Sequence, residues 1–316
     1  MDAPVLVEEQ PLPAARQHER GRIGSRARLV TAVTSNPKAL IGALILSAFV
    51  VVALFAPLIA PYDPSAQQFQ PMASATSDHI LGTTSYGQDV FSQLVWGARQ
   101  SLLIGIVAGV VATVISVLIG VTAAYLGGIP DLLLSLFTDI FLVLPQLPLM
   151  IVIATYFKGN GGVWVLIVVI VITGWSFGAR QLRSQALSVR HREFLESARI
   201  RGERSSYIIV FELLPTMTSL IAANFLGAAL YSILAAAGLQ FIGLGNIEEI
   251  SWGTMLYWAQ NNEALMAGAP LWIIAPGVCI ALLGASFALL NYAFDEIGNP
   301  ALRAGRRKRG RRGAHS

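Results

Sequence analysis

Six predominantly apolar runs alternate with polar connections along the chain, at roughly Leu40 to Ile59, Ser101 to Tyr125, Leu132 to Tyr156, Val163 to Gly178, Thr216 to Ala237 and Leu271 to Phe294. Most approach the ~20 residues that an α-helix needs to cross the hydrocarbon core, so the pattern predicts six membrane-spanning helices. The third run contains Pro145 and Pro148 and the fourth is short. Each is expected either to kink or to continue beyond its apolar stretch. Ahead of the first run, residues 1–38 are polar, with Pro4, Pro11 and Pro13, and read as a cytoplasmic arm, part of Ser25 to Lys38 being suited to an interfacial helix. They also give no reason to expect a cleaved secretory leader. After it, Pro61-Tyr62-Asp63-Pro64 stops the helix and turns the chain along the surface, opening a polar segment that reaches Gln100. Val90, Leu94 and Val95 recur at helical spacing, so Asp89 to Ala98 is expected to lie in the interface before turning into the second span.

Composition agrees with the pattern. Mean hydropathy is +0.62 and only 13% of residues are charged, which excludes most soluble folds and a wholly disordered chain. Of the 22 basic residues, 20 fall before the first run, between Arg180 and Arg204, or between Arg303 and Arg312; Arg99 and Lys158 remain. The positive-inside rule then places both termini and the Arg180 to Pro215 connection in the cytoplasm. The Gly243 to Pro270 connection carries Glu248, Glu249 and Glu263 without a lysine or arginine, as an outward loop would. A topology signal accounts for the basic pI of about 9.4 without nucleic-acid binding. The tail is also suited to anionic lipid, at about 1 kcal/mol per basic residue. Cys279, the one cysteine, lies in the sixth run and permits no intrachain disulfide.

The most informative connection is Glu196 to Pro215. Glu196, Ser197 and Ala198 open a short helical run, Gly202 breaks it, and a second run ends at Leu214-Pro215 where the fifth span begins. Glycine accepts a left-handed backbone without steric cost, so two helices can meet there at a sharp angle, and proline suits a helix start. This spacing resembles the EAA loop of permease subunits of ABC importers, with Ser197 where that family most often has alanine. Two further strings resemble the second permease subunit of dipeptide, oligopeptide and nickel systems. One is HILGTTSYGQDVFSQLVWGARQSLLIG from His79 to Gly105; the other is SILAAAGLQFIGLG from Ser232 to Gly245, followed by Ser251 to Leu256. Thr84 and Gln88 stand where relatives usually have Asp and Arg, which puts an outer ion pair in doubt, and Ala236 and Gln240 replace a frequent Glu and Ser. With Asn299-Pro300-x-Leu302-Arg303 at the end, the resemblance covers about residues 39–303.

The resemblance implies an all-α membrane protein with the type I ABC importer permease fold, six transmembrane helices and cytoplasmic termini. It divides into an arm (1–38), a first helix with its outward loop (39–100), a five-helix core (101–297) with the coupling loop at about 183–215, and a basic tail (298–316). It further implies a bacterial inner-membrane location and partners: a second permease subunit, two ATPase subunits or one fused ATPase, an extracytoplasmic substrate-binding protein, and membrane lipid. Di- or oligopeptides are the implied cargo, with nickel, opines or oligosaccharides as alternatives; a transporter driven by an ion gradient is the competing class. Glu196, Ser197, Ala198, Gly202, Leu214 and Pro215 would carry the ATPase coupling.

No lysine stands in a Gly-Lys-Ser/Thr phosphate loop, so ATP and its Mg are expected on partner subunits, with no cofactor in this chain. The histidines are far apart and no nucleophile has a base at a suggestive spacing; neither a metal site nor an enzyme active site is expected. Few polar residues stand in or near the apolar runs. Asp139, about 10 Å from the inner end at ~1.5 Å per residue, suits an inner gate or a helix–helix ion pair. Gln146 and Asn224, nearer mid-span, suit either the passage or helix–helix hydrogen bonds, and Gln240 lies near the outer end. Gly105, Gly109, Gly120 and Gly227 are expected to let helices approach closely.

Overall fold

The computed structural model describes residues 36–157 and 162–298. Most of the arm, the basic tail, Lys158 and the Asn299-Pro300 string lie outside the described residues. Among those described, the structure is helical, without a strand. Helix α1 spans Pro37–Leu54 and is capped by Asn36, whose side chain accepts from the Lys38 N–H at 3.1 Å. Helix α2, Val90–Leu126, runs unbroken for 37 residues, about 56 Å at 1.5 Å per residue. The expected turn near Ala98 is therefore absent. Asp89 caps the helix by accepting from Ser92 N at 2.7 Å, and no proline interrupts the ladder before Gly127.

The third apolar run divides into α3, Gly128–Val143, and α4, Gln146–Tyr156, which meet at 86°. Pro145 forces Leu144 into extended backbone (ψ 134°) and has no N–H to continue the helix. The fourth run becomes α5, Gly162–Gly174, and α6, Ser176–Val189, bent by 43°. Helix α6 thus carries the chain well past the apolar stretch. Helix α7 is Glu193–Ile200, beginning three residues before Glu196. From Ser205 the chain reaches the fifth apolar run through a π-helical turn at Ile208–Leu213 and a 3₁₀ turn at Leu214–Met217, leading into α8, Thr218–Phe241. Helix α9, Trp252–Asn261, is short, and α10, Leu271–Gly298, closes the bundle with Pro276 inside it. Among the described residues, four helices are long and apolar enough to cross a membrane alone, or up to six if each bent pair is one span.

Helix α2 is the central post. Near its start, Val90, Ala98 and Leu102 pack with Trp252 and Met255 of α9 and with Trp272, Leu283 and Phe287 of α10. At its far end, Val121, Ala124 and Tyr125 pack with Leu182 and Ala186 of α6, Leu195 and Ala198 of α7, and Ile208, Leu213 and Met217. Close approach depends on missing side chains. A Cβ on Gly109 would fall 2.9 Å from Ala229 of α8, and one on Gly120 would fall 2.2 Å from the Ala179 carbonyl of α6. Gly227 differs, since its nearest neighbour would stand at an ordinary 3.6 Å.

Outside the bundle, the segment before α2 folds back on itself. Phe69 N–H donates to Gly87 O at 3.1 Å and Met72 N–H to Thr84 O at 3.1 Å. His79 Nδ1 lies 3.0 Å from buried Asp89, and its ring packs edge-on against Phe69. Thr84 and Gln88 do meet, but as neutral partners: the hydroxyl donates to Gln88 Oε1 at 3.3 Å.

Candidate functional site

Helix α7 is amphipathic, and the two faces have different surroundings. Leu195 and Ala198 are fully buried against the end of α2, whereas Glu196, Ser197 and Ile200 point to the exterior. Arg199 lies over the Tyr125 ring at 5.0 Å, a second tie to α2. Ser197 donates its hydroxyl proton to Glu193 O at 2.9 Å, an intrahelical bond that leaves the surface open. The helix then ends in a Schellman motif: Glu203 N–H reaches Ala198 O at 3.3 Å and Gly202 N–H reaches Arg199 O at 3.0 Å. Gly202 supplies the left-handed residue, with φ of +77° and open space where a Cβ would be. Beyond it, Leu214 is half-buried and Pro215 exposed in the 3₁₀ turn. The six residues singled out in this loop thus occupy one surface-facing helix–turn–helix unit anchored to the bundle from below. The π-helical turn left no mark in the apolar pattern.

Two ion pairs join α3 to α6, which leads into α7. Arg183 donates to both Asp131 oxygens, from Nε at 2.7 Å and from a terminal nitrogen at 2.8 Å. Arg180 contacts Asp139, where both partners are more than half exposed, so this pair alone contributes little. The Asp131–Arg183 pair is better shielded, with side chains 17% and 32% exposed, and its fork geometry fixes orientation. Arg183→Ala is expected to cost on the order of 1–2 kcal/mol, between the values for exposed and buried pairs. Thermal unfolding in detergent would register this. The exchange Asp131→Arg with Arg183→Asp should recover part of the loss, and no recovery would mean that the pair does not couple the helices.

Gln146 and Asn224 come together across α4 and α8 on a cavity of about 440 Å³ also bounded by Tyr231, Gln181 and Asn291. Tyr231 donates to Gln146 Oε1 at 2.8 Å, and the Asn291 side-chain oxygen, Oδ1, is buried without a partner among the described residues. Gly178 makes room: a Cβ there would fall 2.4 Å from the Asn224 amide. The lining mixes these polar groups with apolar ones such as Leu142 and Phe177, and carries no formal charge. Asp139 lies in a separate cleft with Arg180 and Arg183, so it does not join this cavity. Gln240 is 2% exposed and accepts from the Ser251 hydroxyl at 2.8 Å, in the seam between α8 and α9. Tyr231 went unnoticed because an aromatic inside an apolar run reads as packing; Gln181 lies beyond the fourth apolar run, on the helical extension.

The architecture is that of a multi-pass helical membrane subunit, with a surface helix exposed on one face and braced against the bundle by the other. Residues 116–297 match the family described as binding-protein-dependent transport system inner membrane component. Residues 33–76 match the N-terminal TM domain of oligopeptide transport permease C. The chain therefore belongs to the binding-protein-dependent transport system inner membrane component family, whose members are membrane permease subunits of ABC transporters and not themselves enzymes. It is 31% identical to the dipeptide transport system permease protein DppC of Alkalihalophilus pseudofirmus over 276 residues, 85% of this chain and 88% of that one. It is 28% identical to the oligopeptide transport system permease protein OppC of Mycobacterium tuberculosis strain H37Rv, covering 90% of this chain and 97% of the relative.

Proposed function

We propose that this chain forms one half of the translocation path of an ATP-driven importer of di- or oligopeptides in a bacterial inner membrane. Each bent pair serves as one span, making six, with both termini and the α7 loop in the cytoplasm, where the basic residues gather. The observation that carries the reading is α7 itself, with Leu195 and Ala198 buried on α2 while Glu196 and Ser197 face outward. A helix held this way can seat in a partner and pass its displacement to the spans. Two ATPase subunits, or one fused ATPase, bind there and hold the ATP and Mg. A second permease completes the path, and an extracytoplasmic binding protein delivers cargo. The peptide assignment rests on the names of the relatives.

In this reading Gln146 and Asn224 line the passage with neutral amides that can hydrogen-bond a peptide backbone without selecting for side-chain charge. Asp139, paired with Arg180, belongs to the inner gate, while Gln240 positions α9 against α8 at the outer end.

Co-purification with the partner permease and ATPases, followed by ATP hydrolysis in lipid, tests the proposal. Native chain should form the complex and respond to peptide-loaded binding protein, whereas Glu196→Ala should lose at least half of that stimulation. If the native chain binds no ATPase and the variant behaves identically, α7 is not a motor dock and an ion-driven transporter becomes the better reading.

A further inference from the structure

At the end of the bundle opposite α7, a cavity of about 420 Å³ opens between the folded segment before α2 and the connection from α8 to α9. Its size suits a small ligand, since such sites commonly enclose about 300–1,000 Å³. Glu248 and Glu249 stand on one side, and Tyr86, Gln88, Trp258 and Trp272 help to line the rest. Glu249 accepts hydrogen bonds from Gln100 and Asn246, both neutral donors, and Glu248 is exposed. Neither carboxylate has a salt bridge among the described residues.

The two tryptophans differ in a telling way. Trp258 donates its indole N–H to Ile247 O at 3.0 Å. Trp272 is 1% exposed, and its indole nitrogen is buried with no partner among the described residues. An unmet buried donor is costly, so a group that supplies an acceptor there would be favoured. Tyr86 and Trp258 meet edge to face with centroids 5.7 Å apart, giving aromatic surface beside the carboxylates. Arg99 borders the neighbouring cleft that both carboxylates also line, without a salt bridge to either; carboxylates lacking a contact cation and aromatic faces both attract an ammonium group.

We infer that this cavity binds the amino end of a short peptide, with the α-ammonium on Glu248 and Glu249 and a peptide carbonyl accepting from Trp272. The assignment to peptide rests on the import reading above. It adds an outer waypoint between delivery and the membrane passage, and it is distinct from the uncharged cavity around Gln146 and Asn224.

Full-length chain in nanodiscs, titrated with alanyl-alanine and followed by calorimetry, tests this directly. Alanyl-alanine should bind at least about tenfold more tightly than N-acetyl-alanyl-alanine, because acetylation removes the charge that the carboxylates recognise. Glu248→Gln, an exposed change that should not disturb folding, is expected to weaken binding about tenfold, and Trp272→Phe to weaken it about threefold. Equal binding of the free and acetylated peptides, no binding at millimolar concentration, or a Glu248→Gln variant that binds like native would each overturn the site. Nα-acetyl-lysine amide serves as a further arm: if it matches alanyl-alanine, the cavity reads a lysine ammonium and the peptide-end assignment fails. Uptake of alanyl-alanine by the assembled transporter separates the two levels. Uptake without discrimination by the chain sinks the waypoint and leaves import standing; discrimination without uptake sinks peptide import and leaves an ammonium site.

Discussion

Gly202→Pro is expected to return binding-protein-stimulated ATP hydrolysis to the unstimulated rate. The reason is local and conformational. Gly202 sits at φ +77°, while proline is held near about −65°, so the turn after α7 cannot form. Proline also deletes the N–H that reaches Arg199 O, one of the two bonds of the Schellman cap. The chain must then leave α7 in another direction, and the exposed face with Glu196 and Ser197 would no longer meet the proposed ATPase in register. Gly202→Ala separates conformation from crowding, because nothing lies within 4 Å of the added Cβ. Its cost is the left-handed backbone alone, roughly 1–2 kcal/mol for a residue with a side chain. An intermediate loss of stimulation is expected. Full stimulation in the proline variant would mean that the turn does not transmit motion to the spans.

The helical character and the position of this loop were legible in the sequence because they rest on local chemistry. A glycine after a short amphipathic run and a proline before an apolar run are signals that neighbouring residues alone create. The same holds for the break at Leu144-Pro145, although its angle was not legible. What escaped was set by packing. Asp89 to Ala98 has the periodicity of an interfacial helix, but Trp252, Met255 and their neighbours cover it, and it continues straight into α2. The π-helical turn at Ile208–Leu213 also escaped, although Pro215, which has no N–H to offer the Phe211 carbonyl four residues earlier, stands just beyond it; Ile208 and Leu213 pack there with residues of α2 and α6. Nor could the chain order reveal that Asp131, just outside an apolar run, pairs with Arg183 across 52 positions. Gln146 and Asn224 were visible as unusual polar residues; that they share one cavity with Tyr231 depends on how α4 and α8 cross.

The contact between α2 and α6 supplies the second large effect: Gly120→Val should sharply lower the thermal stability of the purified chain and disable coupling. A Cβ at Gly120 falls 2.2 Å from Ala179 O and 3.0 Å from Ala179 C, all backbone, so no side chain can rotate away. Helices α2 and α6 must separate, and overpacking of this kind typically costs about 1–3 kcal/mol, sometimes more. The damage should spread in a defined direction. Helix α6 carries Arg183 to Asp131 and runs into α7, while Leu182 and Ala186 pack with Leu195 and Ala198 around the end of α2. Displacing α6 therefore displaces the surface through which the motor would act. Gly120→Ala already introduces the offending atom, whereas Gly227→Ala adds the same methyl at 3.6 Å from its nearest neighbour. The alanine pair is the sharper comparison. Gly120→Ala should melt several degrees below native, with Gly227→Ala close to native. Equal melting of the two variants would refute the close approach of α2 and α6 and, with it, the route from α7 into the bundle.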